Sequence, residues 1–309
     1  LPILLFHQKG IIKKIIIILS TVIFILSLFI YGNYKINKNN KLLETIDEKV
    51  LVRIVSPNFD LKYNLSKSNI EERFKKIIRY SEPDKNQKTI FIWPEGVFSG
   101  YSYNDILPFK NHILKNFSKK HQIIFGTNRI DEVSGRFYNS MLIVNNNFDI
   151  IQSYNKRKLV PFGEFLPFEK ILKKIGLKKI TEGHGSFLKG NKQENLIINE
   201  LNILPLICYE IIFTKFTQLS SPGTNLIINI SEDGWFGNSI GPHQHFAKAI
   251  FRAIEQNSFL VRSANKGASA IISNKGEIIK KLDINEAGNI ELEVPLIKSE
   301  KKNKNDLIF

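Results

Sequence analysis

The hydrophobic pattern divides the chain into two unequal parts. Ile15 to Tyr34 is a run of 20 residues without a charge, and Ile15 to Ile30 is almost wholly apolar. A helix rises about 1.5 Å per residue, so about 20 residues cross a ~30 Å hydrocarbon core. Lys9, Lys13 and Lys14 precede the run and Lys35, Lys38 and Lys41 follow it, so charge specifies its orientation poorly. A secretory signal peptide shares the basic start and the apolar stretch. The run is long for such a peptide, and Tyr31-Gly32-Asn33-Tyr34 is not a small-residue cleavage site. The pattern predicts a transmembrane helix at about 15–34, with its linker filling residues 1–45.

From Val50 the pattern changes to short apolar runs between turns and amphipathic stretches. Runs starting at Leu51, Thr89, Ile123, Met141, Ile150, Leu201, Leu226, Phe259, Ala268 and Ile278 read as strands. Ile70, Phe74, Ile77 and Ile78 fall at helical spacing, and 106–117 and 244–256 also read as helices. Asn274-Lys275-Gly276 is a hairpin turn. Alternating strands and helices without repeats predict an α/β layered domain over residues 46–298. Phe168, Ile171, Leu172 and Ile175, with lysines between them, predict a basic amphipathic helix suited to an anionic lipid surface. The polar run Lys298 to Asp306, followed by Leu307-Ile308-Phe309, reads as a tail (299–309) leading into another apolar helix.

Composition narrows the function classes. With 43% hydrophobic and 24% charged residues, 309 residues bury a real core. The net charge of +15 suits an anionic partner such as a membrane surface. There is no phosphate loop, zinc finger or helix-turn-helix signature, so no nucleic acid partner is expected. The single cysteine, Cys208, rules out an intrachain disulfide framework. The chain starts at Leu1 and its only methionine is Met141, which predicts a piece of a longer protein.

Three strand ends carry the chemistry. Phe91-Ile92-Trp93-Pro94-Glu95-Gly96 places a carboxylate just after a buried strand, a position for a general base. Tyr154 to Glu164 sets Lys156 and Glu164 on either side of an apolar turn. Leu204-Pro205-Leu206-Ile207-Cys208-Tyr209-Glu210 puts the lone thiol where a sharp turn exposes a nucleophile. Taken singly, each has a plain alternative: a buried small hydrophobe, a helix-start carboxylate, one lysine among many. His243 and His245 form an H-x-H pair that reads as a structural turn, since further metal ligands at suitable spacing are missing.

Together, WPE, YxKxxLVPFGE and a CYE whose cysteine lies 52 residues after the lysine resemble the carbon–nitrogen hydrolase (nitrilase) superfamily with its Glu-Lys-Cys triad. LVPFGEFLP, ICYE, the stretch Asn229 to Gly237, GPHQH at 241–245, RAIE at 252–255 and VRSANKG at 261–267 narrow the resemblance. They are similar to the bacterial apolipoprotein N-acyltransferases, over about residues 10–309. The resemblance implies an α-β-β-α sandwich preceded by one transmembrane helix. It implies Glu95, Lys156 and Cys208 as catalytic residues, supported by Glu164, Tyr209 and Glu210, with no cofactor and no metal. It further implies transfer of a fatty acyl chain from a phospholipid, through a Cys208 thioester, to the N-terminal diacylglyceryl-cysteine of an apolipoprotein. The site implied is the bacterial inner membrane, with the catalytic domain facing the periplasm. A membrane-tethered amidase and an inactive, truncated lipoprotein-binding domain are the alternatives. Ser56 and Tyr63 stand where the family usually has Gln and Trp, and Asp233-Gly234 precedes WFG where Asp-Ala is common.

Overall fold

The computed structural model describes residues 10–44, 46–169, 185–191, 194–198, 201–218 and 223–297. The amphipathic segment expected beyond Glu169 and the expected tail at 299–309 lie outside the described residues. The chain divides into two units, residues 1–46 and 47–309.

Among the described residues the first unit holds one helix, α1 (Ile11–Glu44). An 18-residue window of its apolar span has a mean hydropathy of 2.7 with none of that window buried, and the whole span, Ile11–Lys38, is 28 residues long. At 1.5 Å per residue it is about 42 Å long, enough to cross a membrane. Its serine and threonine hydroxyls at 20, 21 and 27 are satisfied within the helix: Ser20 and Thr21 donate to the Ile17 carbonyl and Ser27 to that of Phe24. Such internal pairing is what a hydrocarbon environment requires of polar groups. The helix is longer than the uncharged run because Lys35 to Glu44 continues it with polar residues.

The second unit contains, among the described residues, twelve strands in two six-stranded sheets. The first sheet holds β1 (Lys49–Ser56), β2 (Thr89–Ile92), β3 (His121–Ile130), β4 (Phe137–Val144), β5 (Ile150–Asn155) and β12 (Gly288–Pro295), in the order β12-β1-β2-β3-β4-β5. The second holds β6 (Leu196–Ile198), β7 (Leu201–Ile207), β8 (Leu226–Glu232), β9 (Phe259–Asn265), β10 (Ser269–Ile272) and β11 (Ile278–Leu282), in the order β11-β10-β9-β8-β7-β6. Each sheet has a parallel centre, β1-β2-β3 and β7-β8-β9, with antiparallel strands outside it. The helices among the described residues of this unit are α2 (Lys67–Ser81), α3 (Tyr103–Ile106), α4 (Asn111–Asn116), α5 (Thr214–Gln218) and α6 (Gly241–Gln256).

Strand parity builds the layers, because successive side chains point to opposite faces. Val55, Phe91, Ile123, Phe125 and Leu142 pack with Phe74 and Ile77 of α2 on one outer face. Leu204, Leu206, Ile227, Leu260 and Ile272 pack with Ala249 and Ala253 of α6 on the other. Residues of the opposite parity, among them Ile54, Ile92, Ile124, Ile228 and Val261, are fully buried between the sheets. The result is the α-β-β-α sandwich. Ser263 Oγ donates to the Val55 carbonyl at 3.1 Å and ties the two sheets together. Burial on both faces also explains why these strands read as continuous apolar runs.

Local signals place the helix ends. Ser66 caps α2 by accepting from the Asn69 N–H, and Asn69 returns the bond to the Ser66 N–H. Glu82 ends it in a left-handed conformation just before Pro83. The helix expected at 106–117 is broken instead into α3, a 3-10 turn at Leu107–Phe109 and α4. Pro108 lacks an N–H and cannot continue an α-helix from the preceding turn.

Candidate active site

Three strand ends meet at one cavity of about 340 Å³. Its lining includes Glu95 from the end of β2, Lys156 and Glu164 from the loop after β5, and Cys208 and Tyr209 from the end of β7. The first two groups come from one sheet and the third from the other, so the cavity forms where the sheets face each other. Tyr63, Trp235 and Phe236 give it an aromatic wall, with the Tyr63 and Trp235 rings 5.7 Å apart. Ser56 is buried elsewhere and donates to the Glu286 carbonyl at 3.0 Å.

Close backbone packing sets Glu95. The Trp93 N–H bonds the Ile124 carbonyl at 2.8 Å, which extends the β2–β3 pairing to the turn. Gly126 lies beneath: a Cβ there would meet the Glu95 Cα at 2.9 Å, too close for any side chain. Glu95 Oε1 accepts from Asn139 Nδ2 at 2.6 Å and lies 3.5 Å from Lys156 Nζ. Glu95 Oε2 accepts from the Glu232 backbone N–H at 3.0 Å. The general-base candidate is therefore held by both sheets.

Lys156 is 1% exposed. Its Nζ donates to Glu164 Oε1 at 2.8 Å, and Asn139 Nδ2 donates to the same oxygen at 2.8 Å. Glu164 Oε2 accepts from the Val160 N–H, which folds the loop back onto its own carboxylate. Burial opposes the lysine's charge, but Glu164 and then Glu95 outweigh it and hold the proton more tightly than on an ordinary lysine.

Cys208 is 8% exposed and sits at φ +47°, in the left-handed region. A non-glycine residue there stores about 1–3 kcal/mol of strain, and such residues cluster at functional sites. Burial, and after it the Glu95 charge, push the thiol well above its ordinary range, while Lys156 pulls it down. The resting group is the thiol. Glu210 braces the turn from below: it accepts from the N–H groups of Ile207, Arg157 and Lys158 and from the Tyr154 hydroxyl. One buried carboxylate thus joins the lysine loop of one sheet to the cysteine turn of the other.

The structure also brings to the site residues that the sequence patterns did not single out. Asn139 bridges Glu95 and Glu164 from within β4, and a polar residue in an apolar strand was the available signal. Glu232 lines the cavity beside Gly96, accepting from Gly234 N–H and Asn265 Nδ2. Burial pushes its carboxyl up to about 8. His245, expected to mark a structural turn, is buried on α6 and lines the cavity. His243 is on the same helix but outside that lining.

Glu232 should leave a signature in stability. A carboxyl whose folded value of about 8 exceeds the ordinary 4.5 binds more protons folded than unfolded between those values. Its contribution is full below 4.5 and is lost as the pH climbs through 8. Glu232→Gln, neutral throughout, should therefore gain stability relative to the parent between pH 5 and pH 9. Melting temperatures of both proteins across that range check this; a constant difference would refute it.

The sequence matches the carbon–nitrogen hydrolase family over residues 53–300. The apolipoprotein N-acyltransferase of Rhizobium leguminosarum bv. trifolii is 34% identical over 258 residues, covering 80% of this chain and 48% of that protein. That of Rhodopseudomonas palustris is 34% identical over 261 residues, with the same coverage of 80% and 48%. The chain spans about half the length of the curated relatives it matches. Among solved structures, Saccharomyces cerevisiae Nit3, of branch 10 of the nitrilase superfamily, aligns with a TM-score of 0.56 at 17% identity, covering 81% of this chain and 91% of that one. A Nesterenkonia AN1 amidase of the nitrilase superfamily gives 0.57 at 12% identity, covering 85% and 94%. Both share the two-sheet fold, and the match over residues 53–300 assigns the sequence. The chain belongs to the carbon–nitrogen hydrolase family.

Proposed function

We propose that this chain carries the catalytic part of an apolipoprotein N-acyltransferase, acting at a bacterial inner membrane with residues 46–298 on the periplasmic side and residues 1–45 supplying a membrane helix. The observation that carries the proposal is the convergence of Glu95, Lys156 and Cys208 on one cavity with an aromatic wall. The two relatives named apolipoprotein N-acyltransferase support the substrate class. Trp235 and Phe236 line the cavity yet stay 45% and 38% exposed, which suits an apolar chain entering from outside.

In the first half-reaction the Cys208 sulfur attacks the ester carbonyl of a phospholipid while Glu95 takes the thiol proton. Lys156 and the Tyr209 N–H stabilise the oxyanion, a donor of this kind being worth about 3 kcal/mol. The tetrahedral intermediate expels the lysophospholipid alkoxide, which leaves with the proton from Glu95. Cys208 is then an acyl thioester. In the second half-reaction the neutral α-amine of a diacylglyceryl-cysteine attacks that thioester, the C–S bond breaks, and Glu95 passes the amine proton to the departing sulfur. Glu164 keeps Lys156 charged and oriented throughout, and no metal or cofactor enters the balance.

Intact mass after incubation with phospholipid vesicles tests the reading. The expected result is a fatty-acyl adduct on Cys208, discharged on addition of a diacylated lipopeptide with gain of the acyl chain by the peptide. An adduct that discharges only to water would mean a hydrolase, and no adduct at Cys208 would overturn the proposal.

A further inference from the structure

The buried groups behind Cys208 form a chain that the reaction above does not use. His245 Nε2 lies 3.0 Å from the Cys208 carbonyl oxygen, which can only accept, so the ring donates to it. His245 Nδ1 lies 2.9 Å from Asp233 Oδ1. Asp233 Oδ2 accepts from Arg262 Nη2 at 2.7 Å, and Asp233 Oδ1 accepts from Ser231 Oγ at 2.7 Å. Arg262 is fixed in turn by the Ala268 carbonyl and by Asn229. His245, Asp233 and Arg262 are each 5% exposed or less. Burial opposes the Asp233 charge, but Arg262 and His245 hold its carboxyl well below the usual range. It therefore stays an acceptor facing Nδ1, and with Nε2 donating to the Cys208 carbonyl both ring nitrogens act as donors, the hydrogen-bonding pattern of an imidazolium.

The carbonyl that receives this chain belongs to the same peptide unit as the Tyr209 N–H. A peptide unit is planar and trans, so its C=O and N–H point in opposite directions. Fixing the oxygen against His245 fixes the N–H on the other side. Tyr209 is the second residue of the 3-10 helix Cys208–Ile212, so its N–H has no earlier carbonyl within that helix to bond. Tyr209 also lines the cavity. The plane needs holding, because Cys208 sits at φ +47°. A donor on the carbonyl also polarises the unit and strengthens its N–H as a donor.

We propose that His245 is a positioning residue for acyl transfer, orienting and polarising the Cys208–Tyr209 peptide unit so that its N–H serves the oxyanion, with Asp233 and Arg262 as its support. This rests on the reading of Cys208 as nucleophile and of the Tyr209 N–H as oxyanion donor. It adds a control on transition-state stabilisation that acts through a backbone amide, from a helix that itself borders the cavity.

The test compares two reactions of the same thiol. Acylation by a phospholipid or by a short thioester passes through an oxyanion; alkylation by iodoacetamide does not. His245→Leu should slow acylation by about 10²-fold in kcat, the loss typical of one oxyanion donor. The KM for the donor and the alkylation rate of Cys208 should change less than about threefold. His245→Gln places an amide nitrogen near the position of Nε2, and should restore most of the acylation rate. Equal losses in acylation and alkylation, or no rescue by His245→Gln, would mean that the histidine merely holds the fold. If His245→Leu fails to fold, Asp233→Asn, which weakens the grip on the ring, should give the same selective loss; unchanged acylation in that variant would overturn the proposal. The parent protein separates the two readings. Without a Cys208 adduct in the parent the proposed function itself fails, whereas an adduct formed equally fast in His245→Leu removes only this inference.

Discussion

Cys208→Ser is expected to lower acyl transfer by at least about 10³-fold while the protein remains folded. The hydroxyl is a much weaker nucleophile than sulfur under the same base, and loss of the nucleophile in comparable triads leaves only the background from oxyanion donors and binding. The fold should tolerate the change. Serine is slightly smaller than cysteine, and the left-handed backbone at φ +47° is braced by Glu210 and His245 rather than by the sulfur. Transfer at near parental rate would remove Cys208 from the mechanism. Circular dichroism and melting of the variant distinguish loss of chemistry from loss of structure.

Lys156→Ala is expected to stop thioester formation and to destabilise the unit by about 3–5 kcal/mol, the range for breaking a buried ion pair by removing one partner. The lysine is buried between Glu164 and Glu95, its Nζ 2.8 Å and 3.5 Å from their carboxylate oxygens. Without it two largely buried carboxylates face each other with no cation between them. The stability part of the prediction has its own check. In the double variant Lys156→Ala with Glu164→Gln, one of the two stranded charges is gone, so the losses should fall short of additivity by more than about 1 kcal/mol. Additive losses in denaturant unfolding would show that the pair is not coupled in the way its geometry requires.

Much of the architecture is legible in the sequence because these strands are buried on both faces. Runs such as Thr89 to Trp93 and Leu201 to Ile207 have no polar face to disguise them, and they end at Glu95 and Cys208. β12 escaped, although Ile290, Leu292 and Val294 alternate with polar residues, because its burial is shallow and it lies at an edge. β6 is three residues long, too short for any period to show. At the site, residues that follow a strand end are visible as motifs, since a buried run gives way to chemistry there. Asn139, Glu232 and the partnership of Asp233, His245 and Arg262 are of another kind. Their meaning lies in contacts between segments far apart in sequence. Arg262 and Asp233 are 29 residues apart, and Asn139 and Glu95 are 44 apart. A one-dimensional pattern carries no record of such distances.

The pairing of β1 with β12 has a mechanical consequence. The two strands run antiparallel through eight residue pairs, from Lys49 opposite Pro295 to Ser56 opposite Gly288. The strand that opens the sandwich and the strand that closes it therefore present their outer ends side by side, about 5 Å apart. A load that pulls these two ends away from each other meets the hydrogen-bonded ladder at one extremity. It opens the pairs in succession, like a zipper, instead of shearing all eight at once. The unit is accordingly weak against forces that pull Lys49 away from Pro295, while Cys208, which follows β7 of the other sheet, takes no part in that ladder.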